Sequence, residues 1–265
     1  MSLRINTNVE AFNAHRNLEK TSTALSQSME RLSSGLRINR AADDAAGLAI
    51  SQKLQGQIGG LDQAGRNTQD GISLVQTAEG SLTEVQSMLQ RVRELAVQYQ
   101  NGTLSTNNRT AINSEVTQLQ DEIERIGTTA QFNGISLLDS ATTITFQVGA
   151  NDGETITVAT ISLGTAIGGT FCLDDSDILS AIDSAIDATS AQRASFGAVQ
   201  NRLQHTYNNL QTYEENLTAS NSRITDVDMA AEMVNFTKNQ VLEQAGTAML
   251  SQAQQAPQNV LSLLR

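Results

Sequence analysis

The chain has little of what soluble proteins of its size use to build a core or a catalytic centre. Its 265 residues include one proline, one cysteine and no tryptophan, and aromatics make up 3%. The lone cysteine, Cys172, excludes an intrachain disulfide. The lone proline, Pro257, lies beyond the strongest helical patterns, so no long helix carries an internal breaker. Scarce aromatics remove the side chains that bury most area in a globular core. No run of about 18 apolar residues occurs, so no membrane-spanning helix is expected. The opening MSLRINTNVEAFNAHRNLEK has no apolar h-region, so a cleavable secretory signal is not expected, while signal-independent export stays open. Basic residues are few and unclustered, with 17 Lys and Arg against 28 Asp and Glu, for a net charge of −11. Such a surface speaks against nucleic acid and anionic membranes as partners.

Catalytic and metal chemistry are equally thin. His15 and His205 sit in helical segments among polar neighbours, without a cysteine or carboxylate completing a ligand cluster. Cys172 has no neighbouring base. Asp174-Asp175-Ser176-Asp177 lacks the glycine and distal glutamate of a calcium loop. Those acids are better read as capping a helix that starts at Ile178. Asp43-Asp44 reads as a solvated pair, and no glycine-rich phosphate loop follows a strand. No enzyme, metal or cofactor is expected. The Asn-x-Ser/Thr triplets at Asn101, Asn108, Asn216 and Asn235 are chance occurrences in an Asn- and Thr-rich chain.

What the chain does have is heptad rhythm. Steps of three and four run through Leu61, Ala64, Thr68, Gly71, Val75, Ala78, Leu82, Val85, Leu89, Val92, Ala96 and Tyr99. Such a repeat puts one stripe on one side of a helix and wraps it around a partner. After a break at Asn101-Gly102, a second seam follows at Ile112, Val116, Leu119, Ile123, Ile126 and Ala130, predicting an antiparallel pair. A third begins at Ile178, Ile182 and Ala185, weakens at Thr189 and Gln192, and recovers at Phe196, Val199, Leu203, Leu210 and Leu217. It continues in register through Ile224, Val227, Ala231, Val234, Lys238, Val241, Ala245 and Ala248, with a joint expected at Ser220-Asn221-Ser222 and caps at Asp226 and Asp228. Near the start, Ala11, Ala14, Leu18, Ser22, Leu25, Met29, Leu32 and Leu36 form another seam.

Two stretches interrupt the helical pattern. Residues 35–60 hold five glycines around an Ala-rich helix, with turns or joints expected at both ends. Between 139 and 175, Ile144, Phe146 and Val148 alternate, Asn151-Asp152-Gly153 follows, and Ile156 and Val158 alternate again. That is a β-hairpin signature. The expected fold is mainly α. It is a long antiparallel helical bundle or coiled coil with paired N- and C-terminal helices and a small β-hairpin insert.

The two ends carry apolar residues beyond one seam. They include Leu3, Ile5, Val9 and Phe12 at one end and Met229, Met233, Phe236, Leu242, Met249, Leu250 and VLSLLR at the other. Two facing helices cannot cover apolar residues on several sides, and an exposed array of them marks an interaction surface. Two readings stay open: an intramolecular bundle with apolar surface residues, and head-to-tail assembly into a helical filament. The candidate polymerisation residues are Val9, Phe12, Leu18, Leu25, Met29, Leu32, Leu36, Val227, Val234, Val241, Leu242, Met249, Leu263 and Leu264. Candidate packing residues of the helical region are Val75, Leu82, Val85, Leu89, Val92, Ile112, Val116, Leu119, Ile123, Phe196, Val199, Leu203, Leu210 and Leu217.

Several long motifs then point to a family. They are INTNVEAFNAHRNLEK, MERLSSGLRINRAADDAAGLAIS, NTQDGISLVQTAEGSLTEVQSMLQRVRELAVQ and FNGISLLD, then AQRASFGAVQNRLQHTYNNL and ENLTASNSRITDVDMAAEMVNFTKNQVLEQAGTAMLSQAQQAPQNVLSLLR. With them the chain resembles bacterial flagellin, in a short form lacking large outer variable domains. The resemblance implies that 1–43 and 223–265 pair as an inner, tube-lining coiled-coil domain. It also implies an outer helical domain over 44–222, with 141–175 as the hairpin insert standing where larger relatives have variable domains. It further implies a subunit of the swimming filament, secreted through the flagellar type III route. Its implied partners are other copies of itself, an export chaperone, and the cap and hook-junction proteins. A hook–filament junction protein with similar end helices is the alternative. Some flagellins are recognised by a Toll-like innate immune receptor, and the segment QRVRELAVQ carries that resemblance to Gln90, Arg91 and Leu95, with Glu115 on the next helix.

Overall fold

The structure, a computed structural model, describes residues 8–167, 171–175 and 177–263, with side chains as far as residue 255. The described helices are α1 (Val9–Ser34), α2 (Ala45–Tyr99), α3 (Thr106–Thr129), α4 (Leu163–Ala166), α5 (Ile178–Thr225) and α6 (Met229–Leu263). Two antiparallel hairpins lie between α3 and α4: β1 (Gln131–Phe132) with β2 (Ile135–Ser136), and β3 (Thr143–Gln147) with β4 (Thr155–Ala159). The chain divides into two compact units. Gln57–Glu215 form one, and Met1–Gly56 with Asn216–Arg265 form the other. Helices α2 and α5 contribute to both.

The unit 57–215 is built on the α2 seam. From Leu61 to Ala96 every position of the heptad is buried, and Tyr99 is half-buried. On α5, Ile178, Ile182, Ala185, Thr189, Phe196, Leu203 and Leu210 are buried; Val199 and Leu217 are half-buried. The two helices run antiparallel. Arg93 bonds Asp183 at 2.6 Å, Gln86 bonds Ser190 at 3.4 Å and Gln69 bonds Tyr207 at 2.8 Å, so one number climbs as the other falls. The buried threonines of the two seams are satisfied within their own helices. The hydroxyls of Thr68 and Thr189 donate to the carbonyls of Ala64 and Ala185 at 2.7 and 2.9 Å, so burying them leaves no unpaired group.

Helix α3 adds a third layer. Ser105 caps it by accepting from the Asn108 N–H at 3.3 Å. Ile112, Val116 and Ile123 are buried, Leu119 is half-buried, and Arg91 pairs with Glu115 at 2.9 Å. Strands β3 and β4 pair Phe146 with Ile156 and Ile144 with Val158, and Gly153 turns the hairpin at φ +84°. Ile156 and Val158 are buried in the same core as the α2 seam. A Cβ at Gly71 would stand 3.4 Å from both Phe146 and Leu203, so that glycine sits where hairpin and α5 press on α2.

Two features of this unit differ from expectation. The Gly56–Gly60 stretch is no joint, because α2 runs through it unbroken. Each glycine costs a helix about 1 kcal/mol, which a cooperative, tertiary-packed helix of this length absorbs. Gly60 also makes room for the hairpin turn, since a Cβ there would lie 2.9 Å from that of Ala150. The tight hairpin β1–β2 is an addition, turning on Asn133 and Gly134 at φ +49° and +79°.

The unit of the chain ends pairs α1 with α6, antiparallel. The Asn8 amide donates to the Ala253 carbonyl at 2.7 Å, Arg31 faces Glu232 at 3.9 Å, and Leu36 bridges Asp226. Gly35 ends α1 in the left-handed region at φ +73°, with its N–H on the Arg31 carbonyl at 2.8 Å. Arg37 reaches the Ile224 carbonyl at 2.6 Å, and Ile38 is buried. The joint before α6 falls at 226–228, because α5 continues through Ser220-Asn221-Ser222. The Ser220 hydroxyl bonds the Asn216 carbonyl one turn back at 2.7 Å, which keeps it helix-compatible. Asp228 caps α6, accepting from Ala230 and Ala231 at 2.9 and 3.1 Å.

Candidate functional site

The seam that α1 and α6 share is not the seam of greatest apolarity. Toward α6, α1 turns Ala11, Ala14, Leu18, Thr21, Leu25, Ser28 and Leu32, all buried or half-buried. Ser22 and Met29, expected in that row, are exposed, and Thr21 and Ser28 take their places. Toward α1, α6 turns Glu232, Phe236, Asn239, Glu243, Gly246, Leu250 and Ala253. The heptad row Ala231, Val234, Lys238, Val241, Ala245 and Ala248 is exposed throughout. The two rows on α6 are two positions apart, about 200° around the helix, so they lie back to back. Periodicity identified the stripe and left open which neighbour covers it.

The outcome is an apolar surface on the unit of the chain ends. Val234 is 66% exposed, Val241 64%, Met249 65% and Phe12 69%. Val9, Met29, Leu36, Met229, Met233 and Leu242 are exposed as well, while Leu18, Leu25, Leu32 and Val227 are half-buried. Leu263 and Leu264 lie outside the residues whose side chains are described. Among the described residues, Ile38 is the one buried hydrophobic side chain of this unit. The buried hydrophobics of 57–215 are many, and among the described residues only Val97, Ile135 and Tyr213 stand out as large exposed ones there. One unit hides its apolar side chains and the other displays them. A groove of about 670 Å³ between α1 and α6 is of mixed character, lined by Leu18, Leu242 and Met249 together with Asn13, Asn17 and Gln252.

The N-terminal helical region of bacterial flagellin matches residues 5–143, and its C-terminal helical region matches residues 179–264. The chain belongs to the bacterial flagellin family. A flagellin of Halalkalibacterium halodurans is 55% identical, over 98% of this chain and 99% of that one. A flagellin of Bacillus subtilis is 48% identical, over 99% of this chain and all of its own length. The crystal structure of Bacillus cereus flagellin overlays 55% of this chain and 88% of that one, with a TM-score of 0.51 and 35% identity. Flagellins are structural proteins, and this chain is a flagellar filament subunit, not an enzyme.

The receptor-patch residues do not share one environment. Gln90, Arg91 and Glu115 are exposed, and Arg91 donates to Glu115 at 2.9 and 3.0 Å and to Glu94 at 3.3 Å. These carboxylates hold the guanidinium above its ordinary pKa. Leu95 is 2% exposed, a core residue of the chain itself rather than part of a surface patch. It lies off the α2 seam, in the same buried cluster as Ile112, Val116 and Ile123 of α3; heptad counting follows only the seam. Among the described residues, no group of three His, Cys, Asp or Glu could hold a metal, and no helix is long and apolar enough to cross a membrane.

Proposed function

We propose that the chain polymerises through the outward faces of α6 and α1 into the tube of the flagellar filament, whose rotation drives swimming. One observation carries this reading. The most apolar stripe of α6 is turned away from its intrachain partner, in a unit with almost no apolar core of its own. Covering such side chains is worth about 1.5–3 kcal/mol each when burial is complete, and within a filament only another copy is repeated often enough to cover them. The terminal segments expected as the inner domain, 1–43 and 223–265, supply this surface, and 44–222 forms a separate helical domain with the 141–175 hairpin.

Removing 223–265 tests the proposal. The full chain should sediment as filaments visible by electron microscopy, and the truncated chain should stay in the supernatant as a folded monomer. Filaments from the truncated chain would refute it. A junction role instead of bulk assembly would leave the protein scarce in sheared filaments. Export as an unfolded chain to the outside of the cell, a chaperone on the exposed α6 stripe, and assembly under a cap at the growing tip belong to the same reading. Receptor recognition, if tested by reporter activation, should depend on Arg91 and Glu115 at the surface, with Leu95 acting only by supporting the helix beneath them.

A further inference from the structure

Resting on that reading, we infer that Arg31 and Glu232 orient α6, holding its less apolar row against α1 so that the apolar stripe faces neighbouring copies. Burial alone would turn α6 the other way. The inward row carries Glu232, Asn239 and Glu243, whereas the outward row carries a single charge, Lys238. The two rows lie about half a turn apart, so a rotation of the helix exchanges them without changing the heptad step. Something other than apolar area must therefore choose between them.

The ion pair is placed to make that choice. Glu232 is 7% exposed, in the first turn of α6, and its carboxylate lies 3.9 Å from the Arg31 guanidinium on α1. Turning α6 half a turn would leave the partly buried Arg31 guanidinium facing the apolar row without its countercharge, which opposes the exchange. The helix N-terminus favours the same carboxylate, and the Asp228 cap holds that terminus in place. A polar pair of this kind sets register and facing at the cost of some stability. One close approach elsewhere in the interface fits the same facing. A Cβ at Gly246 would stand 3.8 Å from that of Leu18 and 3.2 Å from its Cδ1, a spacing that a bulkier residue on the inward row would not allow.

The same Cβ spacing supplies the test, because it is that of an unstrained disulfide. In a Cys172→Ser background, Arg31→Gln and Glu232→Gln should each raise the critical concentration for filament formation about tenfold, as expected for breaking a half-buried pair. The double variant should be no worse than either single, because the two residues act as one unit. Adding Leu18→Cys with Gly246→Cys and oxidising should lock the helices in the stated facing and restore assembly of Glu232→Gln; reduction should abolish the rescue. Additive effects, a wild-type critical concentration in the single variants, a bridge that fails to form, or a bridge that forms without rescue would each overturn the inference. Val234→Asp, which leaves the pair intact, tests the assembly surface separately. If that variant assembles normally, the reading of the stripe fails; the rescue by the bridge still decides the role of the pair.

Discussion

Replacing Val234 and Val241 should separate assembly from folding. Both valines are about two-thirds exposed in the chain by itself. If neighbouring copies cover that exposed portion, each contributes about 1–2 kcal/mol to assembly. Val234→Ala removes two methyl groups and should cost about 1–1.5 kcal/mol, raising the critical concentration roughly tenfold. Val234→Asp and Val241→Asp also place a charge in the apolar contact, for a total of at least about 3 kcal/mol and a shift of more than about a hundredfold. The monomer should not notice, because substitutions at exposed helix positions usually change stability by less than about 0.5 kcal/mol. Sedimentation over a concentration series gives the first quantity, and urea unfolding of the depolymerised monomer gives the second. An unchanged critical concentration in both Asp variants would refute the assignment of the stripe. So would a monomer destabilised as strongly as the filament, since the valines would then be core residues.

Other outcomes follow from the unit 57–215. Leu82→Ala empties a fully buried seam position and should cost about 2–5 kcal/mol in urea unfolding, while Val97→Ala, at a half-exposed position, should stay within about 0.5 kcal/mol. Gly59→Ala meets open space and should stabilise α2 by about 0.5–1 kcal/mol, whereas Gly60→Ala drives a Cβ to 2.9 Å from Ala150 and should lower the melting temperature despite its better helix propensity. The carboxyl of Glu154 is held below its ordinary 4.5 by the Asn151 side-chain amide and backbone N–H. The unfolded chain therefore takes up that proton first, so the contribution is present above pH 4.5 and is lost as pH falls through the lower folded value. Urea midpoints measured below that pH should fall more steeply in the wild type than in Glu154→Gln.

Much of the helical region was legible. The α2 seam was readable residue by residue, because a 3.5-residue repeat sustained over five heptads has one geometrical solution. The β3–β4 hairpin announced itself through alternation around Asn151-Asp152-Gly153. The smaller hairpin carried a turn signal of the same strength, Asn133-Gly134, but its strands are two residues each and too short for alternation to register. Helix α2 was read as jointed at Gly56–Gly60 because propensity is local, while the continuity of a long helix is cooperative and secured by packing. Leu95 was assigned to a surface by resemblance and proves to be core, because the cover comes from outside the α2 seam.

The ends of the chain divide the two kinds of knowledge most sharply. Composition, charge and periodicity by themselves determined a helical, apolar-striped chain without catalytic equipment and with more apolar surface at its ends than two helices can hide. They could not say which stripe meets which neighbour. A heptad repeat specifies that a face must be covered, and the energy of covering it is the same whether the cover is intrachain or another molecule. Only the tertiary structure decided that α1 takes the row of Glu232 and Gly246 and leaves Val234 and Val241 outside. That choice rests on contacts more than 200 residues apart in the chain, Arg31 with Glu232 and Asn8 with Ala253, which no local pattern encodes.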